Sequence, residues 1–232
     1  MIKAVLFDLD CTLYDRDEAY VNLLDTFKQF FADRLTKGMR DDELLRQLCR
    51  CDRVGSYLNR GWPGILEEQI SAGLWANAPT GEEMLDFIHR HFADAVRPWP
   101  DAAPLFKALK EKGYKLGLVT NGPEDFQTEK AKKVGLYDDF DCVLTSGAEG
   151  RAKPHPQIFA HALQRLGCAA EEAVFLGDSP VADVCGARGV GMHAVWMRYY
   201  DLWPEPYAKP AYSIARLAEL PAVLSEIERK SK

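Results

Sequence analysis

The chain has 232 residues, of which 47% are hydrophobic and 28% charged, the composition of an ordinary globular protein. Its formal net charge of −6 argues against a nucleic-acid polymer as partner, and no apolar run approaches the roughly 20 residues of a membrane span. No signal-peptide pattern follows Met1, so we expect a cytoplasmic protein that does not contact a membrane.

The first predicted element is a buried strand over residues 5–7, and two carboxylates, Asp8 and Asp10, follow it. Residues i and i+2 of an extended chain lie on one side, so both carboxylates can project where the chain leaves the sheet. Neighbouring carboxylates repel unless a cation or a shared proton compensates them, and their oxygens suit Mg²⁺. An aspartate can also carry a phosphoryl group as a nucleophile. The alternative is a pair of surface aspartates in a turn.

Residues 16–97 predict a block of helices without a convincing strand. Apolar residues recur at helical spacing over 18–35, and 41–49 and 66–73 are also helical in pattern. Thr80-Gly81-Glu82-Glu83 resembles a capping box that opens a helix ending near residue 95. Pro98 and Pro100 mark the end of the block. We therefore assign 16–97 to an inserted, all-helical domain.

From residue 102 onward, helices and strands alternate. Helices are predicted over 102–112, 124–134, 157–166, 181–188 and 221–229, and strands over 114–119, 140–144, 173–176 and 193–196. This alternation implies an α/β fold with a mostly parallel, doubly wound, Rossmann-like sheet covered on both faces. Residues 1–15 and 98–232 form this predicted core.

Polar residues follow several of these strands. Asp8 ends the first strand, Thr120 the second and Asp178 the fourth, while Lys153 lies in the loop after the third. Ligands of doubly wound sheets bind outside the carboxyl ends of the strands, so these side chains are expected to converge on one crevice. Taken singly, each segment is ordinary: a turn at 120–122, a solvated loop at 153–154 and a helix N-cap at 177–180.

Together and in this order, the segments resemble the haloacid dehalogenase-like (HAD) hydrolases. Residues 8–12, DLDCT, have that family's D-x-D-x-T pattern, and 120–122, 153–154 and 177–183 resemble its remaining motifs. The resemblance extends from residue 2 to about 195, and the insertion at 16–97 has the position of the family's helical cap domain. It implies a Mg²⁺-dependent phosphatase that acts on a small phosphorylated metabolite.

The resemblance also implies roles for the acidic residues. Asp8 is expected to be the nucleophile that forms an aspartyl-phosphate, and Asp10 the general acid and then the general base. The side chains of Asp8 and Asp178 and the backbone carbonyl of Asp10 are the expected Mg²⁺ ligands. Asp183 is expected behind these ligands or in contact with the metal through water.

The expected phosphate-binding residues are Lys153, Thr120 and Asn121. By the same resemblance, Lys153 neutralises the phosphoryl oxygens and screens Asp8. The Thr120 hydroxyl and the Asn121 amide hydrogen-bond the phosphoryl group where charge develops. A haloacid dehalogenase proper, which lacks a second aspartate, remains an alternative, as do a phosphomutase and a non-catalytic phosphate-binding protein.

The prediction of the substrate rests on few residues. The segment 120–127, with Lys130 one turn later, is similar to HAD-type nucleotidases and sialic-acid 9-phosphatases, and Trp62 and Trp75 could stack a base. A nucleoside 5′-monophosphate is therefore predicted over phosphoglycolate; a phosphoglycolate or sugar phosphatase is the alternative, and so is a purely structural role for both tryptophans. Candidate substrate-facing residues of the cap are Tyr20, Arg53, Arg60 and Trp62.

Three features carry no assigned role. Cys11 lies inside the first motif, between two expected functional positions. The aromatic segment 196–207 either packs on the domain surface or forms a wall of the substrate entrance. The six cysteines form no C-x-x-C pair and are expected to be reduced thiols. A monomer and a homodimer are both compatible with the sequence.

Overall fold

The computed structural model describes residues 1–57, 61–199 and 203–230. The chain divides into two compact units, one formed by Met1–Asp15 with Pro98–Lys232 and the other by Arg16–Arg97. All six cysteines are free thiols. None of the helices in the described ranges is both long enough and apolar enough to cross a membrane.

The second unit is helical. Its described helices are α1 Arg16–Phe30, α2 Asp41–Tyr57, α3 Gly61–Ser71 and α4 Gly81–Ala95. The predicted capping box is confirmed, because the Glu83 amide donates to Thr80 Oγ1 over 3.2 Å and the Thr80 amide donates to Glu83 Oε2 over 2.8 Å. The first helix ends at Phe30 rather than near residue 35, and Leu35 instead pairs with Trp75 in an isolated bridge.

Aromatic rings and a buried polar network form the interior of this helical unit. Phe27, Phe31 and Phe87 are buried, and the Trp75 ring centroid lies 5.6 Å from that of Phe27 and 5.1 Å from that of Phe31. Tyr20 is 1% exposed and its hydroxyl donates to Asp52 Oδ1 over 3.0 Å. Tyr20, a candidate substrate-facing residue in the sequence, is thus buried and hydrogen-bonded within this unit.

The first unit is built around a sheet of six described strands. They are β1 Ala4–Phe7, β2 Lys115–Thr120, β3 Cys142–Thr145, β4 Ala173–Gly177, β5 His193–Met197 and β6 Tyr212–Ile214. Their order is β3-β2-β1-β4-β5-β6 and every neighbouring pair is parallel. The predicted doubly wound α/β architecture is confirmed.

Helices connect the strands and cover the sheet. They are α5 Ala102–Glu111, α6 Glu124–Val134, α7 Ser146–Glu149, α8 Pro156–Leu166, α9 Gly186–Gly189 and α10 Leu220–Lys230. Leu6 of β1 belongs to the core cluster that contains Phe159 of α8, whereas the Phe7 ring centroid lies 4.9 Å from that of Phe106 in α5. Successive residues of a strand point to opposite faces, so α5 and α8 cover opposite faces.

Two elements differ from the sequence prediction. Strand β6 was not predicted, because three residues of mixed character, Tyr212 to Ile214, give no recognisable alternation. The helix predicted over 181–188 is a π-helical turn, Pro180–Cys185, followed by the short α9. Isolated π-helical turns are often found at functional sites, and this one begins two residues after Asp178.

Candidate active site

The candidate site lies at the carboxyl ends of the three central strands. Asp8 directly follows β1, Thr120 is the last residue of β2, and Asp178 directly follows β4. Strand β1 lies between β2 and β4, so these three positions are neighbours at one edge of the sheet. Lys153 lies between α7 and α8, in the connection after β3. Sheet topology thus brings together residues that are more than a hundred positions apart in the sequence.

Lys153 is the cation at the centre of this edge. Its side chain is 2% exposed, and its Nζ donates to Asp8 Oδ1 over 2.6 Å. The same Nζ lies 2.7 Å from Asp183 Oδ1, in an ion pair whose alignment is not that of a hydrogen bond. Burial lowers the pKa of Lys153, but the charges of Asp183 and Asp8 outweigh it and hold the pKa above its ordinary value.

Three carboxylates gather beside this lysine. Asp8, Asp178 and Asp183 each offer an oxygen within 4.8 Å of the others. Burial raises the pKa of Asp8 to about 7, opposed by the charge of Lys153 and assisted by the charge of Asp183. Asp178 keeps some exposure, yet lost hydration, followed by repulsion from Asp183 and Asp8, raises its pKa well above the usual value.

This donor set fits a hard divalent cation. Carboxylate oxygens are the ligands that Mg²⁺ prefers, and the cluster as described contains neither histidine nor cysteine to favour zinc. Lys153 carries one positive charge against the three carboxylates of the cluster, so a further cation would relieve the repulsion that raises the pKa of Asp8 and Asp178.

The protein fixes the carboxylates through the loop after β4. The Ser179 amide donates to Asp183 Oδ2 over 2.9 Å. Gly177 leaves room for that carboxylate, because a Cβ at this position would lie 2.4 Å from Asp183 Cγ. The indole Nε1 of Trp196, in the adjacent strand β5, donates to the backbone oxygen of Asp178 over 2.9 Å. Trp196, the first aromatic residue of the segment 196–207, therefore lies beside the site.

Asn121 supports Lys153 through its side chain. Its Nδ2 donates to the Lys153 carbonyl over 3.0 Å, and the Lys153 amide donates to Asn121 Oδ1 over 2.8 Å. This pair of hydrogen bonds ties the loop after β2 to the loop after β3. The sequence predicted a phosphate contact from the Asn121 amide and did not predict this use of the side chain.

Asp10 lies in a group of donors that the sequence did not predict. Lys130 Nζ is 2.5 Å from Asp10 Oδ1 and 2.8 Å from Oδ2, and Gln127 Nε2 donates to Oδ2 over 3.0 Å. The Tyr14 hydroxyl donates to Oδ1. Gln127 also donates to the Thr120 hydroxyl, which links Asp10 to the end of β2. The sequence signal that could have revealed these donors is the pair of polar residues, Gln127 and Lys130, on the buried face of α6.

The structure gives the other residues singled out in the sequence the following surroundings. Arg53 is exposed on α2 and pairs with Asp17, while Arg60, the side chain of Trp62 and Tyr200 lie outside the described residues. Cys11 is buried and has a φ of +59°, so it forms the left-handed turn by which the chain leaves β1. Tyr199, in the aromatic segment, donates to Asp15 Oδ1 over 2.5 Å.

Comparison with known proteins agrees with this architecture. Residues 2–191 match the family described as haloacid dehalogenase-like hydrolase. The chain is 34% identical over 242 residues to the glyceraldehyde 3-phosphate phosphatase of Methanopyrus kandleri, covering 99% of this chain and 100% of that protein.

Solved structures give the same result. The HAD phosphatase from Thermococcus onnurineus is 31% identical, with a TM-score of 0.66 over 96% of this chain and 98% of its own. The 2-haloacid dehalogenase from Pseudomonas syringae is 28% identical, with a TM-score of 0.62 over 97% of this chain and 99% of its own. The resemblance inferred from the motifs is confirmed: the chain belongs to the haloacid dehalogenase-like hydrolase family, and its relatives support a phosphatase enzyme.

Proposed function

We propose that the protein is a Mg²⁺-dependent phosphatase that hydrolyses a small phosphate monoester through an aspartyl-phosphate on Asp8. The observation that carries the proposal is the position of Asp8. Its carboxylate lies at the end of the central strand, 2.6 Å from the Lys153 ammonium and beside the carboxylates of Asp178 and Asp183. A nucleophile, a cation for phosphoryl oxygens and a candidate metal site thus share one edge of the sheet.

In the first step, an Asp8 carboxylate oxygen attacks the phosphorus of the ester. The bond from phosphorus to the leaving oxygen breaks, and its electron pair goes to that oxygen, which takes a proton from the Asp10 carboxyl group. Lys153 neutralises the phosphoryl oxygens, and Thr120 with the Asn121 amide hydrogen-bonds them as negative charge redistributes. The alcohol product then leaves.

In the second step, the Asp10 carboxylate accepts a proton from water. The water oxygen attacks phosphorus, the bond to Asp8 breaks, and the electron pair returns to the Asp8 carboxylate. Inorganic phosphate is released and Asp10 is again protonated. Asp8, Asp178 and the backbone carbonyl of Asp10 would hold Mg²⁺, with Asp183 close behind them. When bound, the ion supplies the positive charge that lets an anionic nucleophile approach an anionic ester.

For the substrate, we propose a small phosphorylated metabolite, and glyceraldehyde 3-phosphate is the first compound to test. The full-length relative from Methanopyrus kandleri, which is named for this substrate, supports the choice. The nucleoside 5′-monophosphate predicted from sequence relied on stacking by cap tryptophans. Trp75 packs against Phe27 and Phe31, so its ring is accounted for without a base.

The test is a comparison of kcat/KM in the presence of Mg²⁺ for glyceraldehyde 3-phosphate, UMP, dTMP and phosphoglycolate. We expect the three-carbon ester to be the best of these. A clear preference for a nucleotide would restore the nucleotidase assignment, and no activity on any phosphate ester would refute the proposal.

Dehalogenation is the second candidate, because the similar structure from Pseudomonas syringae is a 2-haloacid dehalogenase. Attack on carbon releases a halide, which needs no proton, so a dehalogenase has no use for an acid at position 10. The Asp10 carboxylate with its surrounding donors therefore favours the phosphatase. Halide release from 2-chloropropionate, measured with and without Mg²⁺, tests the alternative directly.

A further inference from the structure

Lys130 is a buried cation for which the mechanism above has no use. It lies on α6 and is 3% exposed, and its Nζ is 4.8 Å from the centroid of the Phe126 ring. A lysine is rarely buried to this extent unless it is paired. Lys130 Nζ contacts both oxygens of the Asp10 carboxylate, over 2.5 and 2.8 Å.

The neighbours of Lys130 act on the same carboxylate from other directions. Tyr14, which is fully buried, donates its hydroxyl to Asp10 Oδ1, and Gln127, which is 2% exposed, donates its Nε2 to Oδ2 over 3.0 Å. Lys130 and Gln127 are three residues apart on α6 and therefore share a helix face. Donors at both oxygens restrict the rotation of a carboxylate far more than one donor does.

The site leaves space for this arrangement. Gly122 has a φ of +142°, and a Cβ at this position would lie 2.9 Å from Gln127 Cδ and Cγ. The glycine of the turn after β2 thus lets Gln127 reach Asp10, and the same Gln127 amide donates to the Thr120 hydroxyl. One side chain therefore ties the proposed proton donor to a proposed phosphate-binding residue.

We propose that Lys130, together with Tyr14 and Gln127, is a positioning residue that holds the Asp10 side chain in the orientation for proton transfer to the leaving oxygen, with one of these contacts released when Asp10 carries the proton. This inference depends on the proposed phosphatase function and extends it. General acid catalysis requires the carboxyl group to lie within hydrogen-bond reach of the leaving oxygen, and a freely rotating group spends little time there.

The test uses two esters that differ in their need for an acid. An alkyl phosphate, the best of the panel above, expels a strongly basic alkoxide that needs a proton. 4-Nitrophenyl phosphate expels a weakly basic phenolate that does not. The parameter to compare is kcat/KM, because it reports the steps up to departure of the leaving group and omits the later attack of water.

We expect Lys130→Met to lower kcat/KM for the alkyl ester by about 10- to 100-fold and for 4-nitrophenyl phosphate by less than about 3-fold, since general acids contribute about 10²- to 10⁴-fold. Lys132→Met is the matched control: this exposed lysine lies on the same helix with its Nζ 5.2 Å from the centroid of the Tyr137 ring, and both rates should stay at the wild-type value. If Lys130→Met fails to fold, Tyr14→Phe, which removes only a hydroxyl, should give a smaller loss with the same selectivity.

Equal losses for both esters would overturn the inference, because Lys130 would then act on phosphate binding or on the fold. An unchanged or increased rate for the alkyl ester would also overturn it, since the contacts would then hold Asp10 away from the substrate. If the wild-type protein hydrolyses neither ester, the inference falls together with the proposed function. If wild type hydrolyses both esters and the ratio of the two kcat/KM values is unchanged in Lys130→Met and in Tyr14→Phe, the positioning role alone is refuted.

Discussion

At the scale of single residues, opposing influences act on the pKa of Asp8. Burial and the neighbouring carboxylates raise its pKa to about 7, while the Lys153 ammonium, 2.6 Å away, favours the charged form. Asp8→Asn keeps the shape of the side chain and removes the nucleophile. We expect turnover to fall by about 10³-fold or more with the fold retained, measured by steady-state kinetics and circular dichroism.

Asp138→Asn is the control for this substitution, because Asp138 is exposed in the short 3-10 helix Tyr137–Asp139 before β3. Its activity should equal that of wild type. Near wild-type phosphatase activity in Asp8→Asn would show that another group attacks phosphorus. Trapping of a fluoride complex of aluminium or beryllium at Asp8 would in turn support the assignment.

Gly177 shows how a residue without a side chain contributes to the site. A Cβ here would lie 2.4 Å from both Cγ and Oδ2 of Asp183, so Gly177→Ala must displace that carboxylate. Overpacking of this kind costs about 1–3 kcal/mol, and Asp183 would also lose its place beside Lys153. We expect a lower melting temperature and a large loss of kcat.

The matched control is Gly189→Ala. Gly189 ends α9, and a Cβ there would meet nothing within 4 Å. This variant should lose less than about 0.5 kcal/mol of stability and keep its activity. If Gly177→Ala and Gly189→Ala had the same melting temperature and kcat, the close approach of Asp183 to Gly177 would matter neither for stability nor for activity.

At the scale of elements, the start of α4 allows a test of helix stability away from the proposed chemistry. The Thr80 hydroxyl accepts from the Glu83 amide, and Glu83 also pairs with Arg34 over 2.7 Å. Thr80→Ala removes an N-cap and should lower the free energy of unfolding by about 1 kcal/mol, measured by urea denaturation. Thr80→Ser retains the hydroxyl and should differ little from wild type; an equal loss in both would contradict the capping role.

The same helix start has a defined pH dependence. The Arg34 guanidinium, followed by the Thr80 amide, lowers the pKa of Glu83 from 4.5 to about 2. A carboxyl group with a depressed pKa stabilises the folded state above its unfolded pKa and loses that contribution as the pH falls through the folded value. The difference in stability between wild type and Glu83→Gln should therefore be constant above about pH 5 and shrink between about pH 4.5 and 2.

At the scale of the whole molecule, the carboxylate cluster links metal binding to folding. A ligand that binds only the folded state at 100 times its Kd adds about 2.7 kcal/mol of stability, or about 5–10 °C for a chain of this size. Mg²⁺ should raise the melting temperature of wild type in this way. It should have much less effect on Asp178→Asn, whose side chain loses a charged ligand oxygen. Calorimetry with and without Mg²⁺ measures both shifts.

Without a cation, Asp178→Asn should be no less stable than wild type, because burial and the neighbouring carboxylates already disfavour the charge of Asp178. An equal Mg²⁺ shift in wild type and variant would place the ion elsewhere. Undiminished phosphatase activity after thorough chelation would remove the metal from the proposed mechanism.

The sequence by itself determined the α/β architecture and the positions of the residues at the strand ends. Short apolar runs separated by amphipathic helices leave few alternatives to a parallel sheet, and chain order then assigns Asp8, Thr120 and Asp178 to its carboxyl edge. The capping box at Thr80 was likewise predictable, because its four residues are consecutive. These features were predictable because the interactions that form them are local in the sequence or follow from its hydrophobic periodicity.

Tertiary structure alone decided which side chains support that edge. Trp196 donates to the Asp178 carbonyl across a strand pairing, and Lys130 reaches Asp10 from a helix 120 positions along the chain. In the sequence, Trp196 is one residue of an aromatic run and Lys130 is one of the lysines of α6, and nothing in either segment indicates the partners of these residues. Their partners depend on strand order and on which helix face is buried, and both are properties of the packed chain rather than of any segment.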